Sequence, residues 1–584
     1  MSFQNVLKNF YEQIGRLLGR FSFLVFMGWI LFRTAKFLLF LFELGVIELG
    51  VVGQVLYPLV VNFLVSVFLA FFIFRRRWLG ILYVVVEFVY VCFYLLYFSY
   101  SHRYVSLLNL VTLGEGLKAI STLKIVFSWK ILGISLLDMP FALMMIFGKK
   151  NWQWLREFYT SSISQVLFCG SIALLILNET NNFVHHKSFY HILKEGRALL
   201  GKNEMTWQNL DEAIIRRYGT VSYAVFTALS YNLEDRVIAL FDYGPEQIFQ
   251  GKGEKYSIVF IQVENLDSPV LFYSHQGKPI MPFLNWLSTH SRFYPLTVSY
   301  HYAGGTSDAE FALINSVKPS EIYPSIQVLR YDYPNSFVKQ LKKSGYSTFV
   351  FHNNVAKYFG RDRAFPSMGF DEFYDRAKMG LPEKGWGASD EDVFAFVKKK
   401  LETEKKPFLY YIITMSSHGP FTYVRNYYTN TNLLDLRENI VKDYFLSLSY
   451  VDTQLSNFVS FIMNRFDDVH VVIVGDHSSA IHTEEYNAAS CKVGSFAIEF
   501  VPLFIVPAKS SHFQSRVFFS NVTSFLDVGP TVLDMAQSGG SIRSYGTSLM
   551  RISNDQRFFF FPKGRLESGE ILRIFPLSNL FFSR

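Results

Sequence analysis

The chain has 584 residues, a formal net charge of +8, and a composition that is 50% hydrophobic and 18% aromatic. Its length predicts more than one folding unit, and its charge suits contact with anionic lipid or polymer rather than nucleic acid, because no basic stripe with nucleic-acid motifs occurs. Only three cysteines are present, and two of them, Cys92 and Cys169, lie in apolar runs, which excludes a disulfide framework for a soluble domain and a multi-cysteine zinc site.

The first third of the chain is predicted to be an α-helical membrane domain with five spans. A helix that crosses a bilayer needs about 20 predominantly apolar residues. Five segments meet this length, and the first of them is too long for a cleaved signal peptide and is followed by further spans. They are 21–46, 51–74, 79–99, 124–147 and 161–178.

The distribution of basic residues predicts how these spans are oriented. Arg16 and Arg20 precede the first span, the arginines at 75–77 follow the second, and the lysines at 149–150 follow the fourth. Because cytoplasmic loops carry an excess of Lys and Arg, the N terminus is predicted to be cytoplasmic. Everything after residue 178 is then extracytoplasmic.

Several charged residues lie inside the predicted spans, where they are costly and usually face the bundle interior or water. Two interpretations stay open. The residues pair with one another inside the bundle, as in a pair of Arg33 with Glu87, or they form a surface that binds lipid headgroups or handles a polymer. The residues concerned are Arg33, Lys36, Glu87, Lys130 and Asp138.

Four regions are predicted along the chain: a transmembrane domain over 1–178, an interfacial helical linker over 179–250, a catalytic domain over 251–550 and a C-terminal extension over 551–584. In the third region, short apolar runs alternate with amphipathic helical stretches, which is typical of an α/β fold with a mainly parallel sheet. In the extension, FFFFP (558–562) predicts an added strand or a membrane-facing element.

Four predicted strands of the catalytic domain end in polar residues. Ligands of open α/β sheets bind beyond the carboxyl ends of the strands, so these residues are expected at one edge. Each alone has an ordinary explanation, as a loop histidine or as an acid that caps a helix. Together they form a ligand set that suits Mn²⁺, Mg²⁺ or Zn²⁺ without choosing among them. The strands and the residues after them are 257–263 with Glu264, 347–351 with His352, 408–414 with Ser416, Ser417, His418 and Gly419, and 469–475 with Asp476 and His477.

The segment HYAGGTSDAEF (301–311) offers a nucleophile. Gly304 and Gly305 allow tight backbone geometry, and Thr306 follows where a helix is predicted to begin. The amides at such a helix start can cradle a phosphate next to the hydroxyl. The alternative interpretation is that Thr306 only caps the helix.

The motif GTSDAEF resembles the nucleophile motif of the lipoteichoic acid synthase group in the alkaline phosphatase and sulfatase superfamily. The nucleophile of the sulfatases themselves is excluded, because no cysteine here lies in a C/S-x-P-x-R context. Other segments resemble family blocks in the same order, so the resemblance covers nearly the whole chain, including a five-span anchor. These segments are MPFLNWL (281–287), LKKSGYSTFVFHNN (341–354), YFGRDRAF (358–365), MGFDEFYD (368–375), WGASDEDVF (386–394), SSHGPF (416–421) and VGDHSS (474–479).

The resemblance implies an extracytoplasmic α/β domain of sulfatase/alkaline phosphatase-like fold on a bacterial inner or cell membrane. It implies transfer of phosphoglycerol from phosphatidylglycerol, through a covalent intermediate on Thr306, with a divalent metal that is usually Mn²⁺ or Mg²⁺. The implied metal ligands are Glu264, Thr306, Asp476 and His477, and the implied substrate contacts are Arg361 and His418, with His352 nearby.

The acceptor stays open between a lipoteichoic acid-type polymer, a glycolipid and a glucan. The sequence has Phe359 where the family often has Trp and Asn354 where an acid is expected, so headgroup preference is open as well. Three other functions remain: a phosphoethanolamine transferase acting on an envelope lipid, a lipid phosphodiesterase, and a non-catalytic envelope protein. The low cysteine count and the GTSDAEF motif argue against the first of these.

Overall fold

In the computed structural model of the chain, the described residues are 21–47, 76–101, 127–147 and most of 241–580, together with scattered positions elsewhere before residue 241. The gaps within 241–580 are short, and the longest is 552–557. The described residues before position 232 form one compact unit, and those after it form another.

The first unit is helical. Three of its helical stretches are long and apolar enough to cross a membrane, and they coincide with the predicted spans 21–46, 79–99 and 124–147. The predicted spans 51–74 and 161–178 lie largely outside the described residues, as does most of the predicted linker. The helices are α1 (Phe21–Glu43), α2 (Arg77–Ser101), α3 (Trp129–Leu136) and α4 (Met139–Phe147), and α3 and α4 together make up the third stretch.

The charged residues of this unit pair with one another inside it. Lys36 Nζ lies 2.7 Å from Asp138 Oδ1 and 3.4 Å from Glu87 Oε2. Arg33 Nε lies 3.6 Å from the other oxygen of Glu87 and donates to the hydroxyl of Tyr83 at 2.8 Å. The predicted pairing of Arg33 with Glu87 is therefore confirmed, and two cations and two carboxylates balance within one polar cluster.

The second unit is an α/β domain. Its strands are β1 (Glu246–Phe249), β2 (Ser257–Val263), β3 (Ser274–His275), β4 (Lys278–Pro279), β5 (Arg292–Ser299), β6 (Ser347–His352), β7 (Glu372–Tyr374), β8 (Phe408–Ile413), β9 (Val469–Gly475), β10 (Ser490–Val493), β11 (Phe496–Val506), β12 (Val517–Phe518), β13 (Thr523–Ser524), β14 (Gly540–Arg543), β15 (Phe558–Phe561) and β16 (Gly564–Glu567). Its helices are α5 (Pro282–His290), α6 (Thr306–Asn315), α7 (Phe337–Lys343), α8 (Arg361–Met368), α9 (Asp390–Leu401), α10 (Ile440–Arg465), α11 (Val528–Met535) and α12 (Ser568–Ile574).

One large sheet runs through this domain in the order β12-β5-β11-β9-β2-β8-β6-β7. The strands β9, β2, β8, β6 and β7 pair in parallel, and β11 runs antiparallel to both β5 and β9. The four strands predicted from the sequence are β2, β6, β8 and β9. Because these neighbours are parallel, their carboxyl ends lie at one edge, as expected.

Helices cover both faces of the sheet, so the central strands β2 and β9 are mostly apolar and are buried at every position rather than at alternate ones. Ile258 and Phe260 of β2 belong to a core on one face, and Val259 and Ile261 belong to a core on the other. All seven residues of β2 are buried. This packing on both sides holds the strand ends that carry the polar residues.

The C-terminal extension contributes an antiparallel hairpin of β15 and β16, followed by α12. Phe559 is 2% exposed and belongs to one of the two cores, together with the fully buried Ile571. Of the two structures predicted for the FFFFP run, the added strand is the one observed.

The opposite end of β9 is anchored by a buried histidine. The Nδ1 atom of His470 accepts a hydrogen bond from the backbone N–H of Ala508 at 2.9 Å. Burial lowers the pKa of His470 to about 3. The folded state therefore holds this imidazole neutral, and β9 carries Asp476 and His477 just beyond its other end.

We expect the free energy of unfolding to fall as the pH falls from 7 to 5. In this range His470 gains its proton only in the unfolded state, whose histidine pKa is about 6.5, and this favours unfolding by about 2 kcal/mol at pH 5. A His470→Gln substitution removes that dependence. The difference in unfolding free energy between wild type and variant should thus shrink by about 2 kcal/mol between pH 7 and pH 5, measured by denaturant titration of the detergent-solubilised chain. A difference that stays constant would contradict this assignment.

Candidate active site

Two neighbouring strands bring three potential metal ligands together. β2 and β9 pair in parallel up to Val263 and Gly475, so the residues that follow leave the sheet side by side. The Nε2 atom of His477 lies 3.4 Å from Glu264 Oε1 and 3.6 Å from Asp476 Oδ2. Glu264 is 1% exposed, Asp476 is 0% exposed and His477 is 6% exposed, so the cluster is almost fully buried.

Thr306 faces this cluster from the first position of α6. Its Oγ1 lies 3.3 Å from Glu264 Oε2 and 3.4 Å from His477 Nε2. The residue at the N-cap position is Gly305, and no side chain caps this helix start. The interpretation of Thr306 as a plain helix cap is therefore excluded, and its hydroxyl is directed to the acidic cluster instead.

The loop before Thr306 needs both of its glycines. Gly305 has φ 56° and ψ −135°, a backbone conformation that side chains with a Cβ rarely adopt. A Cβ on Gly304 would lie 2.5 Å from Asp308 Oδ1, because Asp308 folds back over the loop. The other oxygen of Asp308 accepts hydrogen bonds from the backbone N–H groups of Tyr302 at 2.7 Å and Gly304 at 2.8 Å. This carboxylate thus fixes the loop that presents the hydroxyl.

The close carboxylates have opposite pKa shifts. Burial raises the pKa of Asp476 well above its ordinary value, and the neighbouring Glu264 carboxylate adds to the effect. Burial alone would also raise the pKa of Glu264, but the charges of His418 and His477 outweigh it and lower that pKa to about 2. Burial opposes a positive charge on His477, yet Asp476 and Glu264 raise the pKa of the imidazole overall. The site therefore favours the charged form of Glu264 and disfavours the charged form of Asp476.

The donor set fits a divalent cation. Asp476 Oδ2 is buried and has no hydrogen-bond partner among the described residues. Its other oxygen accepts from the backbone N–H groups of Asn265 at 2.9 Å and His477 at 2.7 Å. One unused carboxylate oxygen, a second carboxylate, an imidazole nitrogen and the hydroxyl of Thr306 are ligands that Mn²⁺, Mg²⁺ and Zn²⁺ all accept. Glu264, Asp476 and His477 lie close enough together to share one ion.

Arg361 and His352, which were predicted to contact the substrate, lie side by side next to Glu310 of α6. Arg361 donates to both oxygens of Glu310, at 3.0 and 2.9 Å from Nε, and its Nη1 donates to His352 Nε2 at 3.1 Å. Burial and the adjacent guanidinium lower the pKa of His352 well below its ordinary value, so the imidazole is neutral and accepts this bond. Arg361 and His352 are each 1% exposed, and the ring of Phe359 lies 5.1 Å from the guanidinium carbon.

His418 lies on the loop that follows β8 and is partly exposed. Its Nδ1 donates to the carbonyl of Gly419 at 2.6 Å, which leaves Nε2 without a proton whenever the ring is neutral. The ring packs against Trp386 with centroids 4.5 Å apart. Asp390 holds the start of the loop by accepting from the backbone N–H of Met415 at 2.9 Å. His418 also acts electrostatically on Glu264, so it belongs to the same polar cluster.

Three residues that support the site were not recognised from the sequence. Asp308 and Glu310 are in the GTSDAEF motif, but no role at the site was predicted for them. The spacing of Thr306 and Glu310 by four residues was the available signal, since it puts both on one face of α6. Asn265 donates to Glu264 Oε1 at 2.8 Å. Its position directly after Glu264 was the only clue to that role.

Comparison with known proteins gives the family. Residues 257–538 match the sulfatase family. Lipoteichoic acid synthase 2 of Bacillus subtilis is 28% identical over 307 residues, which are 50% of this chain and 46% of that protein. Lipoteichoic acid synthase of Staphylococcus saprophyticus is 27% identical over 268 residues, or 43% of this chain and 40% of that protein. Residues 257–538 form a sulfatase-family domain, and the chain is similar to lipoteichoic acid synthases.

The chain spans about half the length of these curated relatives. The phosphoethanolamine transferase EptA of Neisseria meningitidis, an integral membrane protein, is similar in structure with a TM-score of 0.51. That similarity covers 90% of this chain and 95% of EptA at 15% identity, which supports the fold alone. The predicted family and the sulfatase-like α/β domain of this lipoteichoic acid synthase-like chain are confirmed.

We expect Mn²⁺ to stabilise the lipoteichoic acid synthase-like chain through the Glu264, Asp476 and His477 cluster. A cation that binds only the folded state stabilises it by about 2.7 kcal/mol at 100 times its dissociation constant. The melting temperature of the detergent-solubilised chain should therefore rise with Mn²⁺ and fall again after chelation.

Asp476→Asn should abolish this rise, because it removes the carboxylate oxygen that lacks a partner. The matched control is Asp332→Asn, which alters a carboxylate that is 88% exposed and should leave the rise unchanged. If Mn²⁺ raised the melting temperatures of the wild type and of Asp476→Asn equally, the cation would bind at another site.

Proposed function

We propose that this chain is a membrane-anchored phosphoglycerol transferase that uses Thr306 as its nucleophile. The donor is phosphatidylglycerol, and the acceptor is a lipoteichoic acid-type polymer, a glycolipid or a glucan of the cell envelope. The observation that carries the proposal is the hydroxyl of Thr306, held 3.3 Å from Glu264 at the start of α6 beside a buried acidic cluster. The names of the relatives, lipoteichoic acid synthases, support the same chemistry.

The first step transfers phosphoglycerol from the lipid to the enzyme. Thr306 Oγ1 attacks the phosphorus in line with the bond to diacylglycerol and loses its proton. That bond breaks, and the diacylglycerol oxygen leaves and takes up a proton, so that atoms and charges balance. The product is a phosphodiester that joins Thr306 to glycerol. Splitting the exchange in this way makes each half easier than a direct displacement.

The second step is the reverse reaction with a different alcohol. An acceptor hydroxyl attacks the phosphorus of the enzyme-bound diester, its proton is lost, and Thr306 recovers its own. Both steps use the same phosphate position, so one set of groups serves the transfer twice. If water replaces the acceptor, the same site acts as a lipid phosphodiesterase.

The residues around Thr306 have separate roles in this proposal. Glu264, Asp476, His477 and the Thr306 hydroxyl bind the divalent cation, which is Mn²⁺ or Mg²⁺ by resemblance, with Zn²⁺ as a further option. The bound cation lowers the pKa of the hydroxyl and neutralises phosphate charge. The N-terminal end of α6 carries the positive end of the helix dipole, which favours the negative charge of a phosphate bound beside Thr306.

Arg361 supplies a fixed positive charge that attracts the phosphate. Glu310 of α6 orients its guanidinium, which also donates to His352. A buried guanidinium with a bidentate carboxylate partner keeps one orientation, which favours a charge that develops in the transition state. His418, which is partly exposed, contacts the phosphate or the glycerol of the substrate through Nε2.

The membrane anchor fits a lipid donor. We propose five spans, a cytoplasmic N terminus and an extracytoplasmic catalytic domain, in the bacterial inner or cell membrane. An anchored enzyme can bind the phosphatidylglycerol headgroup at the outer leaflet without extracting the lipid from the bilayer. The described helical stretches Phe23–Glu43, Arg77–Ser99 and Trp129–Phe147 support the anchor.

We expect a covalent phosphoglycerol adduct on Thr306 when the detergent-purified chain is incubated with Mn²⁺ and phosphatidylglycerol vesicles. Intact-protein mass spectrometry measures the adduct, and peptide mapping locates it. Thr306→Ala should abolish it, because the substitution removes the hydroxyl that lies beside the Glu264 carboxylate.

Thr289→Ala is the matched control, since this threonine is exposed on α5 and should leave the adduct unchanged. Parallel vesicles of phosphatidylethanolamine test the rival donor. An ethanolamine adduct would change the assignment to phosphoethanolamine transfer. A Mn²⁺-bound, folded chain without any adduct would contradict the covalent mechanism.

A further inference from the structure

A second polar group lies beside the metal-ligand cluster and is built around β11. This strand lies between β5 and β9 in the sheet and runs antiparallel to both. Its first residues therefore lie at the edge where β5 and β9 end. Glu499 of β11 pairs with Ser299, the last residue of β5, and His301 follows two residues later. The fold thus brings Glu499 next to His301 and next to the backbone that follows His477.

Glu499 uses both of its oxygens there. One oxygen accepts a hydrogen bond from His301 Nδ1 at 3.2 Å, and the other accepts from the backbone N–H of Ser478 at 2.8 Å. The rings of His301 and His477 stack with centroids 4.2 Å apart and planes inclined by 12°. Glu499 is 7% exposed, so this link is buried within the domain.

These contacts restrain the imidazole of His477 in two directions. In the ring plane, Nδ1 donates to the carbonyl of Ser478 at 2.9 Å, and this bond keeps Nε2 directed towards Glu264 and Asp476. Across the ring plane, the stacked ring of His301 blocks one face. Glu499 joins the two restraints, because it holds the Ser478 backbone and the His301 ring at the same time.

We propose that His301 and Glu499 are positioning residues that hold the His477 imidazole in the orientation in which Nε2 binds the divalent cation. The inference rests on the proposed metal site and adds the groups that set its affinity. Partners that orient a metal-binding histidine from outside typically change metal affinity by 10- to 100-fold when they are removed.

The same side chains could instead bind a second cation, since His301, His477 and Glu499 also lie within reach of one shared ion. The hydrogen bonds argue against it. His477 Nδ1 is used by the Ser478 carbonyl, and its Nε2 faces Glu264 and Asp476. A second ion would have to displace one of these interactions, whereas a positioning role requires no change.

The test measures Mn²⁺ binding to the detergent-purified full chain by calorimetry, with activity as a second readout. His301→Ala should raise the dissociation constant about 10- to 100-fold. His301→Asn should recover part of the loss, because its amide N–H can donate to Glu499 from nearly the position of Nδ1. At saturating Mn²⁺ the turnover of His301→Ala should return towards that of the wild type, since the proposed positioning role acts through the affinity of His477 for the cation.

His290→Ala is the matched control, a histidine on α5 outside the site, and its dissociation constant should equal that of the wild type. Melting temperatures of the metal-free proteins show that the variants are folded. An unchanged constant in folded His301→Ala would overturn the inference and leave the proposed function intact. Two Mn²⁺ ions in the wild type and one in His301→Ala would make these residues ligands and would overturn it too. A folded wild type that binds none of Mn²⁺, Mg²⁺ and Zn²⁺ would overturn the proposed function itself.

Discussion

The active site depends on two carboxylates that are buried next to each other at the edge of a parallel sheet. Because β2 and β9 are hydrogen-bonded neighbours, Glu264 and Asp476 leave the sheet together into an interior from which solvent is excluded. Burying like charges is costly unless positive charge or hydrogen bonds offset it. His477 and Asn265 supply part of this compensation. The two carboxylates still require further positive charge, which explains why the cluster suits a divalent cation with the hydroxyl of Thr306 beside it.

Helix α6 connects this cluster to the buried ion pair of Glu310 and Arg361. Thr306 and Glu310 are four residues apart and therefore lie on one face of the helix. The first faces Glu264, and the second holds Arg361, so a single rigid element sets the distance between nucleophile and guanidinium. Asp308 closes the loop before the helix onto the same element. A nucleophile on such a support loses little freedom when it attacks, which favours catalysis.

In the helical membrane unit, buried charges are offset by opposite charges of neighbouring side chains. Arg33, Lys36, Glu87 and Asp138 form a balanced set, so each costly charge has an opposite partner inside the helical unit. These four charges of the predicted spans are therefore paired inside the unit. An anchor that buries its own charges presents apolar surfaces to lipid, and exposed side chains such as Leu82 and Val89 on α2 agree with that role.

The sequence by itself determined much of the local structure and the residues of the candidate site. Strands β2 and β9 were predicted with their observed bounds, because continuous apolar runs bounded by polar residues are a local signal. The identities of Thr306, Glu264, Asp476 and His477 came from motifs at strand and helix ends. Only the tertiary structure decided which partners each side chain has. Glu310 orients Arg361 and Glu499 joins His301 to His477, and these contacts depend on strand order and on the antiparallel insertion of β11, which leave no pattern within any single segment of the sequence.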